Sequence, residues 1–163
     1  MEESIDRRAP KCEKPLDLLA LIKKSFALKE VDIRTYSPLP LAYIGDAVYE
    51  LIFRTMMVGK GNMPVNKLNG LTVRYVKAPA QALLVESILG ELTEEELTVY
   101  KRGRNSKPYS MAKHATVEEY KKATGLEALV GFLYLKDRTA RILELIQIGL
   151  HKLENQEGNT SGR

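Results

Sequence analysis

Apolar residues recur at intervals of three and four along almost the whole body of this chain, and that period confines it to helices more than any other feature does. Leu41, Ile44, Val48, Leu51, Ile52 and Thr55 share one stripe, which predicts an amphipathic helix from Leu41 to Met57, ended by Gly59 and Gly61. A second helix is expected after Pro64, with Leu68, Leu71 and Tyr75 on one side, and a third from Pro79 to Leu89 with Gly90 as its stop. Thr93 with Glu96 forms a capping box, flanked by Leu92 and Leu97 as a hydrophobic staple, and opens a helix expected to end near Arg102 and Gly103. Thr116 with Glu119 repeats the box and opens a helix expected to run, bent or in two pieces, through Leu135. A last helix from Arg138 to Leu153 closes the series. No segment pairs alternating runs across a hairpin turn, so the expected fold class is all-α, a helical bundle.

With 163 residues the chain has room for one domain with a real core. The expected division is a flexible polar leader over 1–14, a single domain over 15–153 and a disordered polar tail over 154–163. An apolar share of 44% beside 28% charged residues is globular. The start of the chain lacks the apolar core of a signal peptide, and the apolar stretch from Leu39 to Phe53 is shorter than a membrane span and carries Asp46 and Glu50. The expected location is therefore the cytoplasm.

Cys12 is the only cysteine and His114 and His151 the only histidines, which excludes an internal disulfide and a thiolate or histidine-rich metal site. Carboxylates remain, and hard oxygen ligands favour magnesium or manganese. Two acids stand out. Asp46 lies in Leu-Ala-Tyr-Ile-Gly-Asp-Ala-Val-Tyr-Glu, and Glu127 in Leu-Glu-Ala-Leu-Val-Gly-Phe-Leu-Tyr-Leu, both unusually apolar surroundings. An ionised carboxylate there costs several kcal/mol, on the order of 3, unless a cation, a hydrogen bond or water compensates. The plain alternative is that both face solvent or pair with Arg54 and a lysine. Gly45 and Gly131 favour the first reading, because a glycine inside a helix costs about 1 kcal/mol and marks close approach of another backbone. If the two helices cross at these glycines, Asp46 and Glu127 come together.

These residues carry a resemblance. The segment from Leu41 to Glu50 resembles the signature helix of the ribonuclease III family, Asn-Glu-Arg-Leu-Glu-Phe-Leu-Gly-Asp-Ala-Val-Leu, and Thr124 to Leu135 resembles its second acidic motif, Asp-x-x-Glu-Ala-Leu-Ile-Gly-Ala-Ile-Tyr-Leu. Within the family the chain is most similar to the Mini-III ribonucleases, which consist of the catalytic domain alone, and the stretch from Lys101 to Lys107 looks like their basic loop. The resemblance covers about Leu39 to Gln147. It implies a ribonuclease III catalytic-domain fold and a magnesium-dependent endoribonuclease, with manganese able to substitute, acting on double-stranded RNA in the large-subunit (23S) ribosomal RNA precursor. Asp46 and Glu127 would be the catalytic metal ligands. Ala42 stands where the longer enzymes place a glutamate and Thr124 where they place an aspartate, a departure shared with Mini-III that leaves the metal count open. Glu50, one turn after Asp46, is a further candidate ligand, held through water, or else a partner for Arg54.

The RNA would be held by Lys101, Arg102, Arg104, Asn105, Lys107 and Lys113, a basic cluster in a chain of net charge +4, with Lys67, Arg74 and Lys77 as a weaker second strip. The ordinary reading of Lys101 and Arg102 is that they complement a helix C-terminus. A-form RNA is read through phosphates, 2′ hydroxyls and shape, so sequence preference should be modest. No length is left for a separate double-stranded-RNA-binding domain, which places the affinity in the catalytic domain and favours a homodimer. Tyr43 matches the family's aromatic position at the two-fold interface, its alternative being a plain core aromatic. The resemblance also allows a ribosomal protein bound to the substrate as a partner. Two other classes compete. A non-catalytic RNA-binding or ribosome-associated protein of this fold would explain Ala42 and Thr124, and a helical nucleotide pyrophosphohydrolase would need a Glu-x-x-Glu-type ligand pair, whose candidate acids at Glu94 to Glu96 are better explained by capping.

Overall fold

Residues 17–106 and 115–160 are described by the structure, a computed structural model. The expected leader over 1–14, together with Lys107 and Lys113, lies outside the described residues. The chain divides into two compact units, Met1–Val31 and Asp32–Arg163. The smaller contains α1 (Leu18–Ser25), for which sequence reading assigned no helix. Asp17 caps it by accepting the Ala20 N–H at 2.9 Å. Ala27, at φ 49°, closes it, with the Leu28 N–H donating to the Lys23 carbonyl at 3.0 Å.

The larger unit contains α2 (Pro38–Val58), α3 (Val65–Val76), α4 (Ala78–Ile88), α5 (Glu94–Arg104), α6 (Val117–Leu135) and α7 (Thr139–Thr160). Short 3-10 turns lie at Ile33–Thr35 and Leu89–Glu91, and no strand occurs among the described residues. The all-α expectation is met. No described helix is long and apolar enough to cross a membrane.

The second half of α6 is apolar on nearly every side, from Ala123 to Leu133 with Thr124 and Glu127 as the exceptions, and such a helix must be covered all round. It is: α2, α4, α5 and α7 all pack on it, while α3 packs on α2 and α4. Both capping boxes form. The Thr116 hydroxyl accepts the Glu119 N–H at 3.1 Å and the Glu119 carboxylate accepts the Thr116 N–H at 3.0 Å. The helix then runs unbroken to Leu135 and ends in a Schellman turn, with Asp137 at φ 58° and the Arg138 N–H on the Leu133 carbonyl at 2.8 Å.

Two boundaries depart from sequence expectation, and one glycine near a third does more than end a helix. Gly103 stands one residue before the end of α5, where that end was expected, and has a packing role besides. It lies inside α5, where a Cβ would come 2.8 Å from Ala128 Cβ and 3.0 Å from Gly125 Cα, so its missing side chain lets α5 lie against α6. Gly90 sits within the 3-10 turn that extends α4 rather than after it. α7 continues seven residues beyond the expected end at Leu153, to Thr160. A polar composition does not stop a helix whose earlier turns are already packed, because propagation costs far less than nucleation.

Glu96 ties α5 to α7. It is 2% exposed, accepts the Thr93 N–H at 2.9 Å, and receives Arg141 Nε and Nη2 from α7 at 3.0 and 2.8 Å. Its role is capping and pairing, which disposes of the ligand pair that a pyrophosphohydrolase would need at Glu94 to Glu96.

Candidate active site

The crossing of α2 and α6 places the two unusual acids. Cβ atoms built on Gly45 and Gly131 would overlap the carbonyl oxygens of Glu127 and Leu41, respectively. Only glycine at both positions lets the backbones touch. One residue beyond Gly45 stands Asp46, and its side chain enters the same cleft as that of Glu127.

The cleft has a volume of about 390 Å³. Besides the two acids its wall includes Ala42, Tyr43, Tyr120 and Thr124. The two positions where longer ribonuclease III enzymes carry acids therefore face the same space as Asp46 and Glu127. Thr124 offers little polarity in exchange, since its hydroxyl donates to the Tyr120 carbonyl of its own helix at 3.0 Å.

The electrostatics of the pair are unfavourable without a cation. Glu127 is half-buried, and burial, reinforced by the neighbouring Asp46 charge, pushes its carboxyl up to about 8, with a Gln81 hydrogen bond opposing the shift. Asp46 is also raised, by its partial burial and then by the charge of Glu50. Among the described residues no cluster of three or more potential ligand side chains occurs, so Asp46 and Glu127 stand as a pair. Two hard carboxylate oxygens that repel each other in a cleft open to solvent and to a phosphate fit a hydrated magnesium ion, which takes few protein ligands and keeps several waters. Glu50 points elsewhere: Arg54 Nη2 and Nε reach its Oε1 at 2.6 and 3.0 Å.

Behind Glu127 lie two buried polar side chains that sequence reading passed over. Tyr49 is 1% exposed, and its phenol is pushed well above its ordinary value by burial and by the Glu127 charge. Its hydroxyl donates to the Tyr75 carbonyl at 3.3 Å. Gln81, also 1% exposed, donates from Nε2 to the Val76 carbonyl at 3.1 Å. Both thus satisfy carbonyls at the C-terminus of α3, which no helical N–H can reach. The signal for Gln81 was available in the sequence, as an amide in the otherwise apolar run Ala-Gln-Ala-Leu-Leu-Val.

The other candidates are dispersed. Lys101, Arg102 and Arg104 form the last turn of α5 and Asn105 caps it, so their placement also suits the helix dipole. Lys101 and Arg102 are exposed, the latter reaching the Tyr36 carbonyl at 3.4 Å, whereas Arg104 lies 5.7 Å above the Tyr100 ring. Lys67, Arg74 and Lys77 are exposed at α3 and its end, but Arg74 lines a different cleft that also includes Glu154 and Glu157 of α7. Tyr43 is 83% exposed, so it is not a core aromatic. Leu39, Leu51 and Met56 of the same helix are exposed as well.

The Ribonuclease III domain family matches residues 39–138, and the chain belongs to the ribonuclease III family. Within it, the chain is 42% identical over 129 residues to a Mini-ribonuclease 3 of Clostridium tetani, covering 78% of this chain and 85% of that protein. It is 45% identical over 111 residues to the Mini-ribonuclease 3 of Brevibacillus brevis, covering 68% and 83%. A solved structure from Fusobacterium nucleatum, 38% identical, superposes with a TM-score of 0.67 over 73% of this chain and 97% of that one.

Proposed function

We propose that this ribonuclease III family member is an endoribonuclease that hydrolyses phosphodiester bonds of double-stranded RNA, with Asp46 and Glu127 as its catalytic metal ligands. The observation that carries the reading is the glycine crossing, which brings those two acids from distant parts of the sequence into one cleft. Mg2+, with Mn2+ as a substitute, would polarise the scissile phosphate, lower the pKa of a bound water and stabilise the departing 3′ oxygen. Asp46 and Glu127 hold and orient, and neither attacks phosphorus. Glu50, paired with Arg54, influences the site through its charge on Asp46.

Lys101, Arg102, Arg104 and Asn105, continued by Lys107 and Lys113, supply phosphate contacts for a duplex, with Lys67, Arg74 and Lys77 as secondary contacts. The protein acts as a homodimer in which the exposed Tyr43 enters the interface. Its substrate is the double-stranded part of the large-subunit ribosomal RNA precursor in the cytoplasm, where a ribosomal protein bound to the RNA can reshape it. This substrate rests on the likeness to the Mini-III ribonucleases. A non-catalytic RNA-binding protein is the second reading, favoured by Ala42 and Thr124 in the cleft wall, where neither contributes a carboxylate.

The deciding experiment is cleavage of a labelled duplex RNA by the wild type, Asp46→Asn and Glu127→Gln, with Mg2+ or with EDTA. Cutting by the wild type with Mg2+ alone, while both variants fold and bind, supports the nuclease. Binding without cutting of any duplex, structured ribosomal precursors included, supports the second reading.

A further inference from the structure

The acid cleft has an unexpected wall for a cavity that receives a polyanion. Asp46 and Glu127 supply two carboxylates, and among the described residues no lysine or arginine lines it. Its other polar side chains are three hydroxyls, those of Thr124, Tyr43 and Tyr120. The Thr124 hydroxyl is committed, since it donates to the Tyr120 carbonyl at 3.0 Å. Tyr43 is 83% exposed and rests little of its ring on this wall. Tyr120 is different. It is partly buried, and no described residue hydrogen-bonds its hydroxyl. It lies seven residues before Glu127 with Thr124 between them, so the three share one face of α6, and Tyr120 stands about 10 Å along the helix axis from the acid.

We propose that Tyr120 is a substrate contact that determines specificity: its hydroxyl hydrogen-bonds the ribose 2′-hydroxyl of a nucleotide neighbouring the scissile phosphate, so that the cleft itself distinguishes RNA from DNA. This rests on the reading of the chain as an enzyme acting on double-stranded RNA. A 2′-hydroxyl both donates and accepts, and the partly buried phenol of Tyr120 has the same double capacity. A phosphate oxygen is a poorer match. It carries charge that the two carboxylates repel, whereas a neutral sugar hydroxyl approaches Tyr120 without that cost. The offset along α6 keeps Tyr120 away from the reacting group and beside the next sugar. The basic residues at the end of α5 contact phosphates, which RNA and DNA share, so the discriminating group has to lie elsewhere.

The test compares the wild type with Tyr120→Phe, which keeps the ring and removes only the hydroxyl, on a duplex RNA and on copies carrying single 2′-deoxy substitutions stepped along one strand. Dissociation constants are read in Ca2+, which takes the same oxygen ligands as Mg2+, and cutting is mapped separately in Mg2+. For the wild type, 2′-deoxy substitution at one nucleotide beside the cut should weaken binding about three- to tenfold, the range of one hydrogen bond. Tyr120→Phe should weaken binding of the unmodified duplex by the same factor and lose nothing more when that nucleotide is deoxy. Its melting temperature should match that of the wild type, because no described residue bonds the hydroxyl. A variant that binds like the wild type, with the same response to every deoxy substitution, overturns the proposal. Weaker binding with an unchanged response to the substitutions overturns it too, since the hydroxyl would then sit on a phosphate. Failure of the functional reading looks different: a wild type that shows the deoxy-sensitive contact yet cuts no duplex in Mg2+ keeps the role of Tyr120 in RNA recognition and loses the nuclease.

Discussion

The α-carbon of Gly45 faces the carbonyl group of Glu127 so closely that a Cβ on the glycine would overlap the oxygen. Gly131, one turn after Glu127, meets the Leu41 carbonyl in the same way. Gly45→Ala should therefore force the two helices apart, and with them the core around Leu41, Leu129 and Leu133. We expect a loss of about 3 kcal/mol or more, because the obstacle is backbone and cannot rotate away. Gly70→Ala is the control. Nothing lies within 4 Å of its Cβ position, so the variant should gain about 0.5–1 kcal/mol from helix propensity. Urea melts of the two variants must move in opposite directions, and a neutral Gly45→Ala would remove the crossing as the basis of the site.

How much of this was legible beforehand differs by residue. Gly45, Gly131 and the two acids could be read because each breaks a local rule: glycine weakens a helix, and a carboxylate does not belong on an apolar face. Gly103 breaks the same rule, but near a helix end a glycine is as often part of the termination as a contact. The partner that decides between these, Ala128 on α6, is distant in sequence. Glu50 remained open between metal and arginine because Arg54 at i+4 satisfies it locally, and the structure shows that pairing. Gln81 and Tyr49 escaped notice because their partners are carbonyls at the end of α3, and backbone groups leave no mark in a side-chain pattern.

In the protein without metal, Glu127 should make stability fall as pH rises. Its carboxyl is raised from 4.5 to about 8 in the fold, so below pH 4.5 both folded and unfolded chains carry the proton and nothing is lost. Between pH 4.5 and 8 the unfolded chain releases that proton while the folded one retains it, which favours unfolding; above 8 the penalty is complete. Glu127→Gln removes this slope. In EDTA at pH 8 the variant should melt higher than the wild type by about 3 °C or more, the shift expected for 1 kcal/mol in a chain of this length. The gap should close toward pH 5, and Mg2+ should stabilise the wild type alone. Equal melting temperatures at pH 8 would show that the carboxylate is not confined as described.

Tyr43 allows a clean separation of folding from assembly. At 83% exposed it contributes little to the core, so Tyr43→Ala should leave the stability of the monomer within about 0.5 kcal/mol of the wild type. If the ring enters a two-fold interface, the same change should shift sedimentation toward the monomer and reduce cleavage at low protein concentration, with recovery as the concentration rises. Unchanged sedimentation would exclude Tyr43 as an anchor.

The basic residues make different predictions according to what already neutralises them. Lys101 is exposed on the last turn of α5, whereas Arg74 lines a cleft together with the acids Glu154 and Glu157. A side chain that neutralises one phosphate adds about one to the slope of log affinity against log salt, and it does so only if no carboxylate competes for it. Lys101→Ala should reduce that slope for a duplex by about 1 and weaken binding alike across sequences. Arg74→Ala should change it by much less. Binding titrations across a range of salt concentrations, in EDTA to prevent cutting, provide the comparison. If the two slopes were reversed, the RNA would run along α3 rather than past the end of α5, and the path from the phosphate contacts to Asp46 and Glu127 would have to be redrawn on that side.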